Sequence, residues 1–196
     1  MSRPPGPRII AGAWRGRKLV APPGLATRPT AERVRQALFD MLWHAPWGGR
    51  GLIEGARVLD GFAGTGALGI EALSRGAAEV VFLEQDAAAL AALAGNLASL
   101  GAGERARVLA GDVLAARPGS RRDLAMLDPP YGMGLPAVAV ARLRAGGWIG
   151  PGTVVVVETG RDEALALPPD AVPLAERAHG AARLAVWRIE ADAAAG

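Results

Sequence analysis

From Gly51 onward the chain alternates short apolar runs with alanine- and leucine-rich stretches, and few folds accommodate that alternation. Residues 57–60, 79–84, 106–112, 123–128 and 153–158 read as strands. Residues 67–75, 87–100 and 135–144 between them read as helices. A helix after each strand returns the chain to the same end of the sheet, which predicts a doubly wound, mostly parallel α/β architecture. The end differs. Residues 172–176 and 183–190 are strands separated by His179-Gly180, a turn that predicts a closing antiparallel pair and a seven-stranded sheet.

The 196 residues fit one domain with a small appendage, and 51% hydrophobic content excludes a disordered chain. No apolar run reaches the ~18 residues that a membrane span needs. The opening Met1-Ser-Arg-Pro-Pro-Gly-Pro lacks the apolar core of a signal peptide, so a cytoplasmic location is expected. Without cysteine there are no disulfides, no thiolate chemistry and no cysteine-rich zinc site. His44 and His179 are too far apart in sequence to suggest a metal pair, so no metal is expected.

Charge is concentrated at the front. Residues 1–50 carry nine cations (Arg3, Arg8, Arg15, Arg17, Lys18, Arg28, Arg33, Arg35, Arg50) against Glu32 and Asp40, a net +7. The remaining 13 cations and 17 acids leave the body at −4. Codon bias explains arginine over lysine but not this asymmetry, and phosphate backbones are the common partner of such a patch. Residues 8–20 hold short apolar runs broken by glycines, with Gly16 placed for a hairpin turn, and Pro22-Pro23-Gly24 ends them. A helix over 30–43 follows, with Thr30 as N-cap and Val34, Leu38, Met41 and Leu42 on one face. Arg33 and Arg35 lie off that stripe, which predicts that they stay free. Trp14, between Arg15 and the rest of the hairpin, either packs beneath it or stacks on a base. The Ala-rich tail after Ile189 is expected to fray.

Two motifs carry chemistry. Gly64-Thr-Gly66-Ala-Leu-Gly69, between a strand and a helix, satisfies the dinucleotide fingerprint G-x-G-x-x-G, and Glu84 is the acid expected ~20 residues on for ribose hydroxyls. Asp60, however, ends the strand before the loop, where it would repel a pyrophosphate and suits a cofactor bearing an ammonium group. Asp112, after the third strand, is placed to accept from an adenine amine. Asp128-Pro129-Pro130-Tyr131 then follows the apolar run 124–127. Its prolines fix φ and stop the ladder, holding a carboxylate, a main-chain carbonyl and an aromatic ring rigidly at the edge where ligands bind.

Acids ending strands one to three, with Asp-Pro-Pro-Tyr ending the fourth, resemble the S-adenosylmethionine-dependent methyltransferases that act on exocyclic amines of bases. The segments Arg8-Ile-Ile-Ala-Gly-Ala-Trp-Arg-Gly-Arg-Lys-Leu, Arg28-Pro-Thr-Ala-Glu-Arg-Val-Arg-Gln-Ala-Leu-Phe and Asp60-Gly-Phe-Ala-Gly-Thr-Gly-Ala-Leu-Gly narrow it. With them the chain is similar, over residues 8–190, to the bacterial 16S rRNA (guanine-966 N2) methyltransferases. Met133-Gly134 and residues 1–7 match no assignable pattern.

The resemblance implies a Rossmann-like class I methyltransferase body over 51–196 and a basic hairpin-plus-helix extension over 1–50. It implies S-adenosylmethionine held by Asp60, Gly61, Phe62, Gly64 and Gly66 at its methionine part, by Glu84 at the ribose, and by Asp112 with Gln85 or Val113 at the adenine. Asp128 and the Pro129 carbonyl would accept the amine hydrogens, Pro130 would hold the turn, and Tyr131 would stack on the base. Arg15, Arg17, Lys18, Arg28 and Arg33 would contact 16S rRNA, within a 30S subunit or assembly intermediate, and the protein would act as a monomer. Other amine methyltransferases, of DNA adenine or cytosine or of protein glutamine, share the turn. A nicotinamide-dependent oxidoreductase would use the loop alone, and a non-catalytic RNA-binding assembly factor the basic front alone.

Overall fold

The computed structural model describes residues 6–22 and 29–191, excepting the side chains of residues 29–31. Seven strands form one sheet in the order β3-β2-β1-β4-β5-β7-β6. They are β1 (Arg57–Gly61), β2 (Glu79–Glu84), β3 (Ala106–Ala110), β4 (Leu124–Leu127), β5 (Val154–Gly160), β6 (Ala171–His179) and β7 (Ala182–Ile189). The first five are parallel, and β7 pairs antiparallel with both β5 and β6. The order reverses beside β1, where β2 lies on one side and β4 on the other. This is the switch point at which such sheets leave a crevice for a ligand. The helices are α1 (Pro29–His44), α2 (Ala67–Ser74), α3 (Ala87–Leu100) and α4 (Leu135–Ala145).

Alternate strand residues face opposite layers, as the two-residue period requires. Val58, Val80, Phe82, Leu124 and Val156 pack with Leu38, Phe39 and Leu42 of α1, Ile70 of α2 and Leu93 of α3. Leu59, Val81, Ala125, Leu127 and Val157 pack with Ala139, Val140 and Leu143 of α4 and with Trp148. Strands covered on both faces explain their nearly continuous apolar runs. Each helix is stopped locally. Asp86 caps α3, accepting from the Ala89 N–H at 2.7 Å, and Gly101 ends it in a left-handed conformation.

The front end departs from expectation in part. The hairpin over residues 8–20 is present but short: Ile9 N–H donates to the Arg17 carbonyl at 2.9 Å, Gly16 N–H to the Ile9 carbonyl at 2.8 Å and Leu19 N–H to the Pro7 carbonyl at 2.7 Å, around the one bridge of Arg8 to Lys18. Its tip lies against α2: Ala13 N–H donates to the Ser74 carbonyl at 2.7 Å and Trp14 N–H to Ser74 Oγ at 3.0 Å. Gly12, at φ +81°, approaches so closely that a Cβ would lie 1.8 Å from the Ser74 carbonyl oxygen. The helix opens at Pro29, which suits the first turn because its missing N–H would go unused. The cap expected of Thr30 lies outside the described side chains. Arg33 is exposed, but Arg35 is only 5% exposed and not free. Its guanidinium donates to the Arg8 carbonyl at 2.6 Å and lies 4.0 Å from the Glu71 carboxylate. That pairing compensates the desolvation that lowers its pKa.

Candidate active site at the carboxyl edge of the sheet

The glycine loop joins β1 to α2. Phe62 takes φ +61°, unusual for a residue with a side chain, and Gly64 and Gly66 follow at +55° and +80°. Gly66 leads α2, and a Cβ there would meet Leu93 Cδ1 at 2.4 Å. Beside Gly64 the corresponding space is open, so the loop presents bare main chain to the crevice. Asp60 lies behind it, 1% exposed, with Oδ2 accepting the Gly69 N–H at 2.8 Å. Burial raises its pKa well above the usual carboxylate range, against the lowering effect of that N–H. Asp60 thus pins the first turn of α2 as well as ending β1.

Glu84 is equally committed. Its Oε2 accepts the Gly64 N–H at 2.7 Å, and Oε1 accepts those of Gln85 and Asp86 at 2.8 and 2.7 Å. One carboxylate therefore fixes the glycine loop to the end of β2, and Gln85 beside it is exposed. β3 ends at Ala110, earlier than expected, because Gly111 breaks away at φ +153°. Asp112 instead caps a short 3-10 turn, accepting from the Leu114 N–H at 2.9 Å through Oδ1, and is itself exposed next to buried Val113. Glycine-loop main chain, Glu84 and Asp112 with Val113 follow β1, β2 and β3 along one edge of the sheet, bringing together an acceptor for hydroxyls, an acceptor for an amine and an apolar side chain. Those groups fit an adenosine-type cofactor.

Asp128 follows β4 directly. Its N–H lies 3.4 Å from the Gly61 carbonyl, which brings the turn against the glycine loop. Asp128 opens onto solvent at this edge, while protein crowding around its carboxyl, and secondarily the Glu158 charge, raises its pKa to about 7. Pro129 is buried and Pro130 exposed. Tyr131 is 46% exposed, with its O–H donating to Glu158 Oε1. Since Leu127 is in register with Val157, Asp128 just past β4 stands beside Glu158 within β5. Burial raises the Glu158 pKa too, opposed by the Tyr131 O–H and by His179. Glu163 holds the following loop, with Oε2 accepting from Gly132 and Gly160 N–H at 3.1 and 3.2 Å. Glu158 and Glu163 were not singled out in the sequence. An acid ending a fifth strand, after acids ending four others, was the available signal for the first, and nothing local marks the second.

The basic candidates lie elsewhere. α2 and α3 run back from the carboxyl ends of the strands, so Ser74 and Ser99 sit near the opposite edge. Trp14 meets Ser74, and Arg17 donates to the Ser99 carbonyl at 2.8 Å, placing the 14–17 turn away from Asp128. Trp14 packs half-buried on the core with the Arg105 guanidinium 5.2 Å from its ring centre. Arg15 and Lys18 are exposed, and Arg28 lies outside the described residues. The two ends of the molecule are linked by Asn96. Its amide donates to the Val20 carbonyl at 3.0 Å and to the Thr65 carbonyl of the glycine loop at 3.1 Å. Among the described residues, no cluster could hold a metal ion and no helix is long and apolar enough to cross a membrane.

Comparison with known proteins agrees with this geometry. The family Conserved hypothetical protein 95 matches residues 7–188. The chain is 41% identical over 164 residues to ribosomal RNA small subunit methyltransferase D of Escherichia coli K12, covering 83% of this chain and 79% of that one. The Haemophilus influenzae protein of the same name is 39% identical over 178 residues, 88% and 89% of the two chains. The solved structure of Escherichia coli yhhF is 37% identical with a TM-score of 0.82, over 94% and 98% of the chains. Sheet order, glycine loop and strand-end acids thus define a Rossmann-like class I methyltransferase, whose methyl donor is S-adenosylmethionine. The chain belongs to the Conserved hypothetical protein 95 family, among relatives that include the ribosomal RNA small subunit methyltransferases D.

Proposed function

We propose that this protein methylates the exocyclic N2 amine of a guanine in 16S rRNA, at the position numbered 966, during small-subunit assembly in the cytoplasm. The observation that carries this reading is the Asp128 carboxylate, without a protein donor among the described residues, standing beside the Tyr131 ring and against the glycine loop. The relatives' names supply the RNA. When bound, the cofactor supplies an electrophilic methyl on a sulfonium centre. The main chain of Gly61–Gly66 would hold its methionine part. Glu84 keeps lone pairs for ribose hydroxyls beyond its three main-chain bonds, and Asp112, with Oδ1 taken by the Leu114 N–H, would accept from the adenine amine through Oδ2.

The guanine amine is a weak nucleophile because its lone pair is delocalised into the ring. Asp128 and the Pro129 carbonyl accept its two N–H bonds and draw the lone pair toward the methyl, while the Tyr131 ring supports the extruded base. As the new N–C bond replaces the sulfonium C–S bond, leaving a neutral thioether, Asp128 stabilises the charge developing on nitrogen and then takes the surplus proton, directly or through water. Only the ionised carboxylate does this. kcat/KM should therefore rise with pH to half its plateau near 7, the value to which protein crowding around its carboxyl and the Glu158 charge bring Asp128. A rate profile flat between pH 6 and 8 would contradict the role.

Cofactor affinity gives a separate check. Calorimetry should detect S-adenosylhomocysteine and not NADH, and Glu84→Ala should weaken binding by about 1.5–3 kcal/mol. The exposed cations Arg15 and Lys18, with Arg17, carry RNA affinity at a distance from the chemistry, and Arg33 adds to it. Replacing Arg15, Arg17 and Lys18 together by alanine should raise KM for RNA and reduce the log–log salt slope by about 0.7–0.9 per lost phosphate contact. Parallel salt series with equal intercepts would assign their charge to composition alone. Transfer of labelled methyl to naked 16S rRNA and to 30S particles, with the product nucleoside identified, tests the reading as a whole. N2-methylguanosine is the expected product; a methylated adenine or protein side chain would overturn it.

A further inference from the structure

The Asp-Pro-Pro-Tyr turn explains how an amine is held, but many bases carry an exocyclic amine. What distinguishes them is the ring atom next to it. In guanine that atom, N1, bears a hydrogen. In adenine and cytosine the neighbouring ring nitrogen is a bare acceptor. A protein that selects guanine at its N2 edge needs two acceptors side by side, one for the amine and one for N1–H.

This edge provides them. Asp128, the residue after β4, lies next to Glu158 within β5, since the pairing register ends with Leu127 opposite Val157 and the Glu158 charge acts on Asp128. Neither Asp128 oxygen has a hydrogen-bond donor among the described residues. Glu158 Oε1 takes the Tyr131 O–H, leaving Oε2 without a donor there, on a side chain that is only partly buried. His179 acts on Glu158 through its charge, and it donates no hydrogen bond to it. The Tyr131 bond also fixes the direction of the carboxylate, so the second oxygen is presented rather than free to swing. A donor pair on a flat base edge complements these acceptors. An adenine or cytosine edge would set a ring lone pair against a carboxylate, which is repulsive.

Resting on the assignment of guanine N2 as the target amine, we propose that Glu158 is a specificity-determining residue that accepts the guanine N1–H while Asp128 accepts from the amine. The two residues thereby read the base as well as holding it. Glu158 was not among the residues that the motif singles out, and it makes no bond to the cofactor loop.

The test uses two versions of the same RNA substrate, one with guanine at the target and one with 2,6-diaminopurine. The analogue keeps the 2-amino group but replaces N1–H by a lone pair. The assay is run on the alkaline side of the Asp128 pKa, with products identified by mass spectrometry. Wild type should favour guanine in kcat/KM by about 10- to 100-fold, the value of one charge-assisted hydrogen bond. In Glu158→Gln the amide oxygen keeps the Tyr131 O–H, so its N–H₂ turns toward the base and donates to the bare N1. Guanine turnover should fall by a similar factor, and the preference should vanish or reverse. Tyr131→Phe, which keeps the carboxylate but releases its direction, should preserve a preference for guanine, though a smaller one, even where its turnover drops. Unchanged S-adenosylhomocysteine affinity in both variants shows intact folds. Equal losses on the two substrates in Glu158→Gln, or no wild-type discrimination, would overturn the proposal while leaving guanine methylation standing. Methyl found on another base would overturn the guanine assignment and the role of Glu158 with it.

Discussion

Asp128→Ala should lower kcat by about 10²- to 10³-fold while leaving S-adenosylhomocysteine affinity nearly unchanged, because its interaction develops with the charge on the attacking nitrogen. Asp128→Asn should retain more activity than alanine, since an amide oxygen still accepts from the amine. The same substitutions should raise Tm at neutral pH. Folding lifts this carboxyl from its ordinary 3.8 to about 7, so between those values the folded state holds more proton than the unfolded one. Stability therefore falls as pH rises through that window, and removing the carboxyl removes the loss. A variant that is less active and more stable marks a residue kept for chemistry. Wild-type activity in both variants would reduce Asp128 to a turn residue. Rates, calorimetry and melting curves together decide the point.

The second large effect is on stability. Glu71, on α2 and fully buried, receives the Arg75 guanidinium at 2.8 Å and the main-chain N–H groups of Ile10 and Ala11 at 2.8 and 3.0 Å, with Arg35 at 4.0 Å. Arg75 also lies over the Phe39 ring, 4.9 Å from its centre. Glu71→Ala leaves two largely buried arginines and two N–H groups without their acceptor. Breaking a buried pair from one side costs about 3–5 kcal/mol. For a chain of this size that corresponds to a fall in Tm of about 6–20 °C. Urea unfolding of wild type and variant measures it directly. A loss under 1 kcal/mol would mean that solvent reaches the network and replaces the carboxylate.

Glu71 also shows where sequence reading stops. The strand-and-helix alternation was legible because each element carries its own period, so β2 and α3 were placed to the residue. Local patterns also placed the glycine loop, Glu84, Asp112 and the Asp-Pro-Pro-Tyr turn on one edge. What they could not convey is pairing at a distance. Arg35 looked solvated because local spacing shows only Glu32, one turn back; the partners that bury it are Glu71 and the Arg8 carbonyl. β6 runs on to His179 although Arg177 and His179 are polar, since it is an edge strand and its outer positions face solvent, with a register shift between Pro173 and Ala175. Of the two glycines in the 8–20 segment, Gly16 turns the chain as its pattern suggested, but Gly12 serves close approach to α2, which no local pattern announces. Glu158 was visible as a strand end, but its meaning came only when β5 was found beside β4.

The central claim is that this edge methylates guanine N2 in 16S rRNA. Nucleoside mass spectrometry of 16S rRNA tests it most directly, comparing a strain that lacks the gene with the same strain complemented by wild type or by Asp128→Ala. The account predicts that one N2-methylguanosine per 16S molecule disappears in the deletion, returns with wild type and returns little or not at all with Asp128→Ala. An unchanged N2-methylguanosine content in the deletion strain, or full restoration by Asp128→Ala, would contradict it.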